Sequence, residues 1–302
     1  MAGFDPLWIF QYEFFLRAYV GGICAALLCS VLGVFIVLRR ASLIGEGISH
    51  LSFGGIALGL FLAVYPLYTA LLLSLLGTLL IYVLNRKRIV YSETAIGLVF
   101  SLGLALGAVL ASLAGGFNVD LFAYLFGSIL TVTVNDLTLI ISLTAVVLAF
   151  LMIFFKEMVH LTFDEPGARL AGIPVLKFEL AFNILVALTV VVSIKIVGSL
   201  LVSALLITPA ASAMQFTRSF RGTVLFAILL GILAVVLGLV ISFAADVASG
   251  GAIVLVSIAI FFLSVAMKKT ISKSRPQVAA ESTCEPFVND LIEVKEQPPE
   301  RK

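Results

Sequence analysis

A succession of long apolar runs dominates the sequence and restricts the chain to folds that span a membrane. A helix of roughly 20 apolar residues crosses the hydrocarbon core of a bilayer. Nine runs of about that length are bounded by charged residues, proline or glycine: 14–38, 44–64, 67–84, 92–114, 136–155, 177–197, 199–216, 223–245 and 251–267. The pattern predicts an all-α polytopic bundle of eight to nine transmembrane helices.

The composition excludes the main alternatives to a membrane protein. Of the 302 residues, 62% are hydrophobic and 12% are charged, and the mean hydropathy is +1.20. Soluble domains contain roughly 45–50% apolar and about 25% charged residues. A soluble globular enzyme is therefore excluded, and so is a largely disordered chain, which would be poor in apolar residues.

Two segments depart from the pattern of full spans. Residues 117–135 are apolar but short and interrupted, which favours a re-entrant or interfacial helix. Residues 270–302 are charged and contain several prolines, which is typical of a solvated, disordered extension. We therefore expect one transmembrane domain over residues 1–269 and a cytoplasmic tail over 270–302.

The basic residues predict how the helices are oriented. If the nine spans alternate in direction, seventeen of the nineteen lysines and arginines fall on one side: Arg39, Arg40, Arg86, Lys87, Arg88, Lys156, Arg169, Lys177, Arg218, Arg221, Lys268, Lys269, Lys273, Arg275, Lys295, Arg301 and Lys302. Basic residues accumulate in cytoplasmic loops. The N-terminus is then outside and the C-terminus inside. Of the two exceptions, Lys195 is expected to extend its ammonium group outward to the outer membrane surface.

Glu46 and His50 are the most informative polar residues inside an apolar run. Ionisable residues within a span are costly and are functional candidates by default. At positions i and i+4 of the second predicted helix, the two side chains share one face. A carboxylate and an imidazole together suit Zn²⁺, Mn²⁺ or Fe²⁺. The spacing therefore predicts a metal-binding pair.

Two ligands do not complete a metal site, since zinc prefers four. A homodimer with this helix near its two-fold axis would supply two glutamates and two histidines. The alternative is a hydrogen bond between Glu46 and His50 that satisfies both groups and binds no metal. The spacing alone leaves both interpretations open.

Two further patterns concern the energy source. The sequence contains no G-x-x-x-x-G-K-[ST] motif, so it predicts no ATP binding by a P-loop. The segment 163–174 has acidic residues at its start and Gly172 and Pro174 at its end, which predicts a short cytoplasmic amphipathic helix. Such a helix could contact a separate ATPase subunit.

Four motifs occur in the order typical of one transporter family. They are GEGISHLSFGGIALG at 45–59, YLFGSIL at 124–130, FDEPGARLAGIP at 163–174 and VGSLLVSALLITPAASA at 197–213. With these motifs, the chain resembles the permease subunits of zinc- and manganese-type metal ABC importers over residues 14–268.

The resemblance implies a transport subunit without enzymatic activity or a permanently bound cofactor. Its partners would be a second copy of itself, two cytoplasmic ABC ATPase subunits and an extracytoplasmic metal-binding protein, with no nucleic acid. It would lie in the cytoplasmic membrane of a bacterium or archaeon. The family usually has Asp where this chain has Glu46, and this acid and the following His50 are taken to coordinate the passing divalent ion.

The resemblance also suggests where the ATPase docks. By similarity to related iron-complex and cobalamin permeases, the coupling helix is expected after Pro209 and consists of Ala213, Met214, Gln215, Phe216, Thr217, Arg218, Ser219, Phe220 and Arg221. The segment 163–174 is the alternative docking element.

Other functions remain open on the sequence alone. A permease for chelated iron or cobalamin would need a wider and less charged path than one containing Glu46 and His50. A proton-driven secondary metal transporter would use Glu46 as a proton relay and need no ATPase. An intramembrane enzyme is disfavoured because no nucleophile–base pair or metalloprotease spacing occurs. The ligand types do not separate zinc from manganese or iron.

Overall fold

A computed structural model describes residues 13–114, 121–127, 133–199 and 201–273. The described residues form twelve α-helices. Their bounds are α1 Glu13–Leu38, α2 Leu43–Phe61, α3 Pro66–Arg86, α4 Ser92–Leu113, α5 Leu121–Phe126, α6 Val134–Ile153, α7 Phe155–Phe163, α8 Glu165–Leu170, α9 Val175–Val197, α10 Val202–Ala213, α11 Phe220–Ala245 and α12 Ser249–Lys273. The predicted all-α class is confirmed.

Eight of these helices are long and apolar enough to cross a membrane: α1, α2, α3, α4, α6, α9, α11 and α12. Apart from the C-terminal end of α12, every boundary of these eight helices lies within three residues of the run predicted from the sequence. Helix α12 continues to Lys273, beyond the predicted domain boundary at residue 269. The rest of the predicted tail, from residue 274, lies outside the described residues.

The seventh predicted span, 199–216, forms a helix that is shorter than a full span. Its helix α10 has 12 residues and is therefore about 18 Å long. It packs against α1, α11, α12 and α2, and Leu205, Leu206 and Ala210 are buried. A helix enclosed by other helices does not need to match the thickness of the bilayer, because protein rather than lipid surrounds its ends.

The apolar core lies around α1, α9 and α10. Phe15 and Phe35 of α1, Val190 and Ile194 of α9 and Leu205 of α10 are at most 1% exposed. Helices α3, α4, α11 and α12 instead carry many exposed leucines, as expected for helices that face lipid. The bundle thus has a buried centre and a lipid-facing periphery.

Glycines hold α2 close to its neighbours α3 and α4. A Cβ atom at Gly55 would lie 2.6 Å from the Cα of Ala70 in α3, and one at Gly107 would lie 2.7 Å from a ring carbon of Phe53 in α2. Small residues permit this close approach of transmembrane helices. Gly55 and Gly107 therefore serve packing within one chain.

The segment 117–135 is described only in part. Helix α5 (Leu121–Phe126) has six residues, too few to cross a bilayer. The backbone amide of Ser199 donates to the carbonyl of Tyr124 in α5 at 2.8 Å, so α5 lies against the end of α9. Residues 115–120 and 128–132 of this predicted re-entrant or interfacial segment lie outside the described residues.

Candidate metal site and cytoplasmic surface

Helix α2 is unusual among the spans because polar and glycine residues make up much of its buried surface. Gly47, Ser49, His50, Ser52 and Gly54 are all buried. The hydroxyl of Ser52 donates to the carbonyl of Ile48 one turn earlier at 2.7 Å, so the helix backbone satisfies it. A helix of this composition is stable in a bilayer because protein covers it on several sides.

The structure places Glu46 and His50 one turn apart in the first half of α2. The His50 side chain is buried, with 6% of the residue exposed, whereas Glu46 is half-buried. The carboxylate is close enough to interact electrostatically with the imidazole. However, Nδ1 of His50 is buried and has no hydrogen-bond partner among the described residues. The two side chains thus form a pair on one helix face.

Two contacts fix the imidazole and the helix turn that carries it. The ring of Phe100 in α4 meets the ring of His50 edge to face, with centroids 4.3 Å apart. On the preceding residue, the hydroxyl of Ser49 donates to the backbone carbonyl of Ser199, which follows α9. The imidazole is therefore held between α4 and the α9–α10 connection.

No cation of the described residues neutralises Glu46. The ion pairs in the described part of the chain join Arg17 to Glu13, Arg169 to Glu165, and Lys195 to Asp136. The described residues also contain no group of three or more His, Cys, Asp or Glu side chains that could hold a metal ion. The described residues of one chain therefore bring an acid and an imidazole to one helix face but do not form a group of three or more possible ligands.

The predicted coupling segment forms a turn rather than a separate helix. Ala213 ends α10, Phe220 and Arg221 begin α11, and residues 214–219 connect the two helices as turns and bends. The hydroxyl of Ser219 accepts a hydrogen bond from the backbone amide of Gly222 at 3.3 Å and thereby caps α11. A cap at this position satisfies an amide that the helix leaves free and ends the connection sharply.

The segment 163–174 contains the short helix α8, as its sequence predicted. The carboxylate of Asp164 accepts a hydrogen bond from the amide of Gly167 at 2.9 Å and caps the helix. At the other end, Gly172 has a φ of +80°, in the region that favours glycine. The residues expected to start and stop this helix therefore do so.

The two candidate docking elements meet through aromatic side chains. The ring of Phe220 at the start of α11 lies 6.0 Å from that of Phe163 at the end of α7. The guanidinium of Arg221 lies 5.7 Å from the ring of Phe155 in α7. The segments 163–174 and 213–221, which the sequence offered as alternatives, are thus parts of one surface.

The expectation that Lys195 extends outward is wrong. Its residue is only 8% exposed, and its Nζ lies 2.8 Å from Oδ2 of Asp136. Oδ2 of Asp136 also accepts hydrogen bonds from the backbone amide and the hydroxyl of Thr133, at 3.0 and 2.6 Å. Lys195 remains inside because a buried carboxylate compensates for its lost hydration.

Tyr65, which is 41% exposed, contacts this buried ion pair from the connection between α2 and α3. Its hydroxyl donates to Oδ1 of Asp136 at 2.8 Å and accepts from Nζ of Lys195 at 3.1 Å. Burial and the hydrogen bond to Asp136 raise the pKa of Tyr65, so the phenol remains a donor at neutral pH. The cluster joins α6, α9 and the residue before α3. The sequence alone does not indicate this cluster, because its members are far apart along the chain.

Comparisons with known proteins give the same fold and family. The manganese import system permease protein ScaB of Streptococcus gordonii is 37% identical over 254 residues, covering 84% of this chain and 91% of the relative. The high-affinity zinc uptake system membrane protein ZnuB of Haemophilus influenzae is 34% identical, covering 84% of this chain and 97% of the relative.

A solved structure and a family model agree with these relatives. The structure of PsaBC from Streptococcus pneumoniae in complex with Fab matches with a TM-score of 0.76 and 34% identity, covering 85% of this chain and 92% of that chain. The model of the ABC 3 transport family matches residues 11–268, nearly the whole helical bundle. The chain is therefore a member of the ABC 3 transport family.

Proposed function

We propose that the chain is the membrane-spanning permease of an ABC importer that moves a divalent transition-metal ion, zinc or manganese, into the cytoplasm. The observation that carries the proposal is the pair of Glu46 and His50: among the described residues, no cation forms an ion pair with Glu46 and no group forms a hydrogen bond with Nδ1 of His50. Relatives named for manganese import and for zinc uptake have similar identities to this chain. The proposal therefore covers both ions.

The pair would replace part of the water that the ion loses on entering the bundle. Removing a divalent ion from water is costly unless protein ligands take over its coordination. Glu46 supplies negative charge and oxygen ligands, and His50 supplies a nitrogen lone pair. Binding an ion would also satisfy Nδ1 of His50, since an unpaired buried polar atom costs about 1–3 kcal/mol.

A second copy of the chain would complete the ligand set. One chain brings two ligands, and the described residues add no third His, Cys, Asp or Glu at the site. A pathway between two copies would place two acids and two imidazoles around the ion. Coordination must remain weak enough to release the ion, as in other conduction pathways.

The energy would come from separate ATPase subunits on the cytoplasmic side. We define the docking surface as the segments 163–174 and 213–221 together with α7. The contact between Phe163 and Phe220 joins the two segments. Movement of a docked ATPase would reach α10 and α11 directly, because both helices begin or end in this surface. In this arrangement the N-terminus lies outside, and the ion arrives from an extracytoplasmic binding protein.

Metal uptake by whole cells tests the role of the pair. Cells carrying Glu46→Ala or His50→Ala are compared with wild type for zinc, manganese and iron. Replacing a residue that only hydrogen-bonds to a metal ligand lowers metal affinity or activity about 10–100-fold. Replacing a ligand itself should therefore lower uptake at least about tenfold. The matched control is Glu93→Ala, which changes the same residue type as Glu46 at an exposed position outside the docking surface. Wild-type uptake in both site variants would refute the assignment.

A second measurement distinguishes this function from proton-coupled transport. The permease is reconstituted in proteoliposomes with its ATPase subunits, and uptake is measured with and without ATP. The proposal predicts uptake only with ATP and an intact ATPase P-loop. Metal uptake driven by a pH gradient in vesicles that lack the ATPase would instead establish a secondary transporter.

A further inference from the structure

The cytoplasmic end of the bundle contains a cavity lined by basic and apolar residues, between the end of α3 and the start of α9. Its volume is about 590 Å³. Its lining consists of Tyr82, Arg86, Arg169, Ile173, Pro174, Val175, Leu176, Lys177 and Leu180. Three of these nine residues are cationic and none is acidic. The cavity is separate from the Glu46–His50 pair, and it adjoins the docking surface, because Arg169, Ile173 and Pro174 belong to the segment 163–174.

We propose that this cavity binds the headgroup of an anionic phospholipid from the inner leaflet. Basic cavities between transmembrane helices on the cytoplasmic side suit phosphate-bearing lipid headgroups. The proposal uses the orientation given above but does not depend on which ion the protein transports.

The charges of the cavity are available to a ligand. Arg86 and Lys177 are exposed and take part in none of the ion pairs of the described residues. Arg169 is paired with Glu165 at 2.6 Å, but this is an exposed i, i+4 pair of small strength. At least two full positive charges thus lack a compensating carboxylate.

The cavity lies at the depth of lipid headgroups. Arg86 is the last residue of α3 and Lys177 lies in the first turn of α9, so both mark the ends of spans. Just above them, Leu79, Leu80 and Val83 of α3 are 41–42% exposed, as expected for side chains that contact acyl chains. A lipid whose tails lie along this face would place its phosphate beside Arg86.

The apolar part of the lining distinguishes a lipid from a free anion. Ile173, Val175, Leu176 and Leu180 form one wall of the cavity, and Leu170 beside it is 92% exposed. These side chains suit the first methylenes of acyl chains, which a phosphate ion lacks. The hydroxyl of Tyr82 donates to the carbonyl of Leu176 at 3.4 Å, so the site already joins α3 to α9.

Lipid binding to the purified full-length protein tests the proposal. The protein in detergent is titrated with phosphatidylglycerol, with phosphatidylcholine and with inorganic phosphate, and the dissociation constants are compared. The test variant is Arg86→Gln/Lys177→Gln. The matched control, Lys87→Gln/Lys156→Gln, removes two exposed charges from the same side but outside the cavity.

We expect phosphatidylglycerol to bind wild type more tightly than either other probe. Each basic residue near an anionic lipid surface contributes roughly fivefold in affinity, so the test variant should bind about 25-fold more weakly. The dissociation constant of the control variant for phosphatidylglycerol should change by less than about threefold. The single variants Arg86→Gln and Lys177→Gln should each bind phosphatidylglycerol roughly fivefold more weakly than wild type. These single variants keep the test decisive if the double variant misfolds.

Four results would overturn the proposal. The first is that phosphatidylglycerol and phosphatidylcholine bind equally tightly, and the second is that the control variant weakens lipid binding as much as the test variant. The third is that inorganic phosphate binds as tightly as phosphatidylglycerol. The fourth is that the test variant binds lipid as wild type does but loses its ATPase subunits on purification. The last result would show that the basic cavity contacts a protein. Metal uptake is a separate readout, so failure here would leave the proposed transport function intact.

Discussion

The backbone of Gly103 in α4 lies against the backbone carbonyl of His50 in α2, so closely that a Cβ atom at Gly103 would overlap that oxygen. The contact occurs on the same helix turn as the edge-to-face contact between Phe100 and His50. Helix α4 therefore sets the position of the imidazole through a backbone contact as well as a ring contact.

Replacing Gly103 with alanine should displace α4 from α2. The added methyl group meets backbone atoms of His50 and Leu51, which cannot rotate away, and overpacking of this kind costs about 1–3 kcal/mol. We expect lower thermal stability in detergent and reduced metal uptake, because the imidazole moves with its helix turn.

Gly97 provides the matched control on the same helix. A Cβ atom there has no neighbour within 4 Å, so Gly97→Ala should be neutral or stabilise the helix by up to about 1 kcal/mol. Equal losses of stability in the two variants would show that an added methyl group destabilises α4 whether or not it meets a neighbouring helix. The specific contact with His50 would then not be the cause.

A second prediction concerns the buried ion pair of Lys195 and Asp136. Lys195→Met leaves the carboxylate of Asp136 buried without its cation, and breaking a buried pair from one side costs about 3–5 kcal/mol. The double variant Asp136→Leu/Lys195→Met removes both charges and should recover part of that loss. Unfolding in denaturing detergent measures both effects.

The exposed pair of Arg17 and Glu13 serves as the reference. Its N–O distance of 2.6 Å is even shorter than that of the buried pair, yet water screens it. Arg17→Met should cost less than about 1 kcal/mol. If Lys195→Met lowered the free energy of unfolding by no more than Arg17→Met does, water would reach Asp136 and the cluster would contribute little to stability.

The helices and the shared face of Glu46 and His50 could be predicted from the sequence because both are local patterns. A run of apolar residues is visible without tertiary structure, and Glu46 and His50 share a face through the helical period alone. The pairing of Lys195 with Asp136 could not be predicted in this way. The two residues are 59 positions apart, and only the packing of α6 against α9 brings them together.

The length of α10 shows the second limit of sequence reasoning. The apolar run 199–216 gives no sign of where the helix begins. The backbone at Gly198, with a φ of +92°, ends α9 sharply, and the next helix starts only at Val202. Hydropathy measures whether a segment is apolar, not whether lipid or protein surrounds it, so a short enclosed helix looks like a full span.

A third prediction separates the charge of Glu46 from its size. Glu46→Asp keeps the carboxylate on a shorter side chain, whereas Glu46→Gln keeps the length but removes the charge. If the carboxylate binds the cation, the Asp variant should retain most uptake and the Gln variant should lose at least about tenfold. Radioactive manganese and zinc uptake measures both. Full uptake by Glu46→Gln would contradict a charge-dependent metal ligand.

The final prediction concerns the docking surface. Phe163 is 65% exposed although it contacts Phe220, so its removal should affect a partner more than the fold. Exposed aromatic residues that anchor an interface contribute at least about 2 kcal/mol, or roughly 30-fold in affinity. Phe163→Ala should therefore reduce the amount of ATPase that copurifies with the permease, while the protein remains folded.

Phe262 supplies the control for this experiment, since it is 66% exposed on α12 and its ring also contacts another phenylalanine, Phe261. Phe262 lies within a long transmembrane helix rather than in the docking surface, so Phe262→Ala should leave the copurified ATPase unchanged. The comparison holds exposure and residue type constant and varies only the location. Equal loss of the ATPase in both variants would point to general destabilisation. Normal copurification with Phe163→Ala would place the ATPase contact elsewhere on the cytoplasmic side.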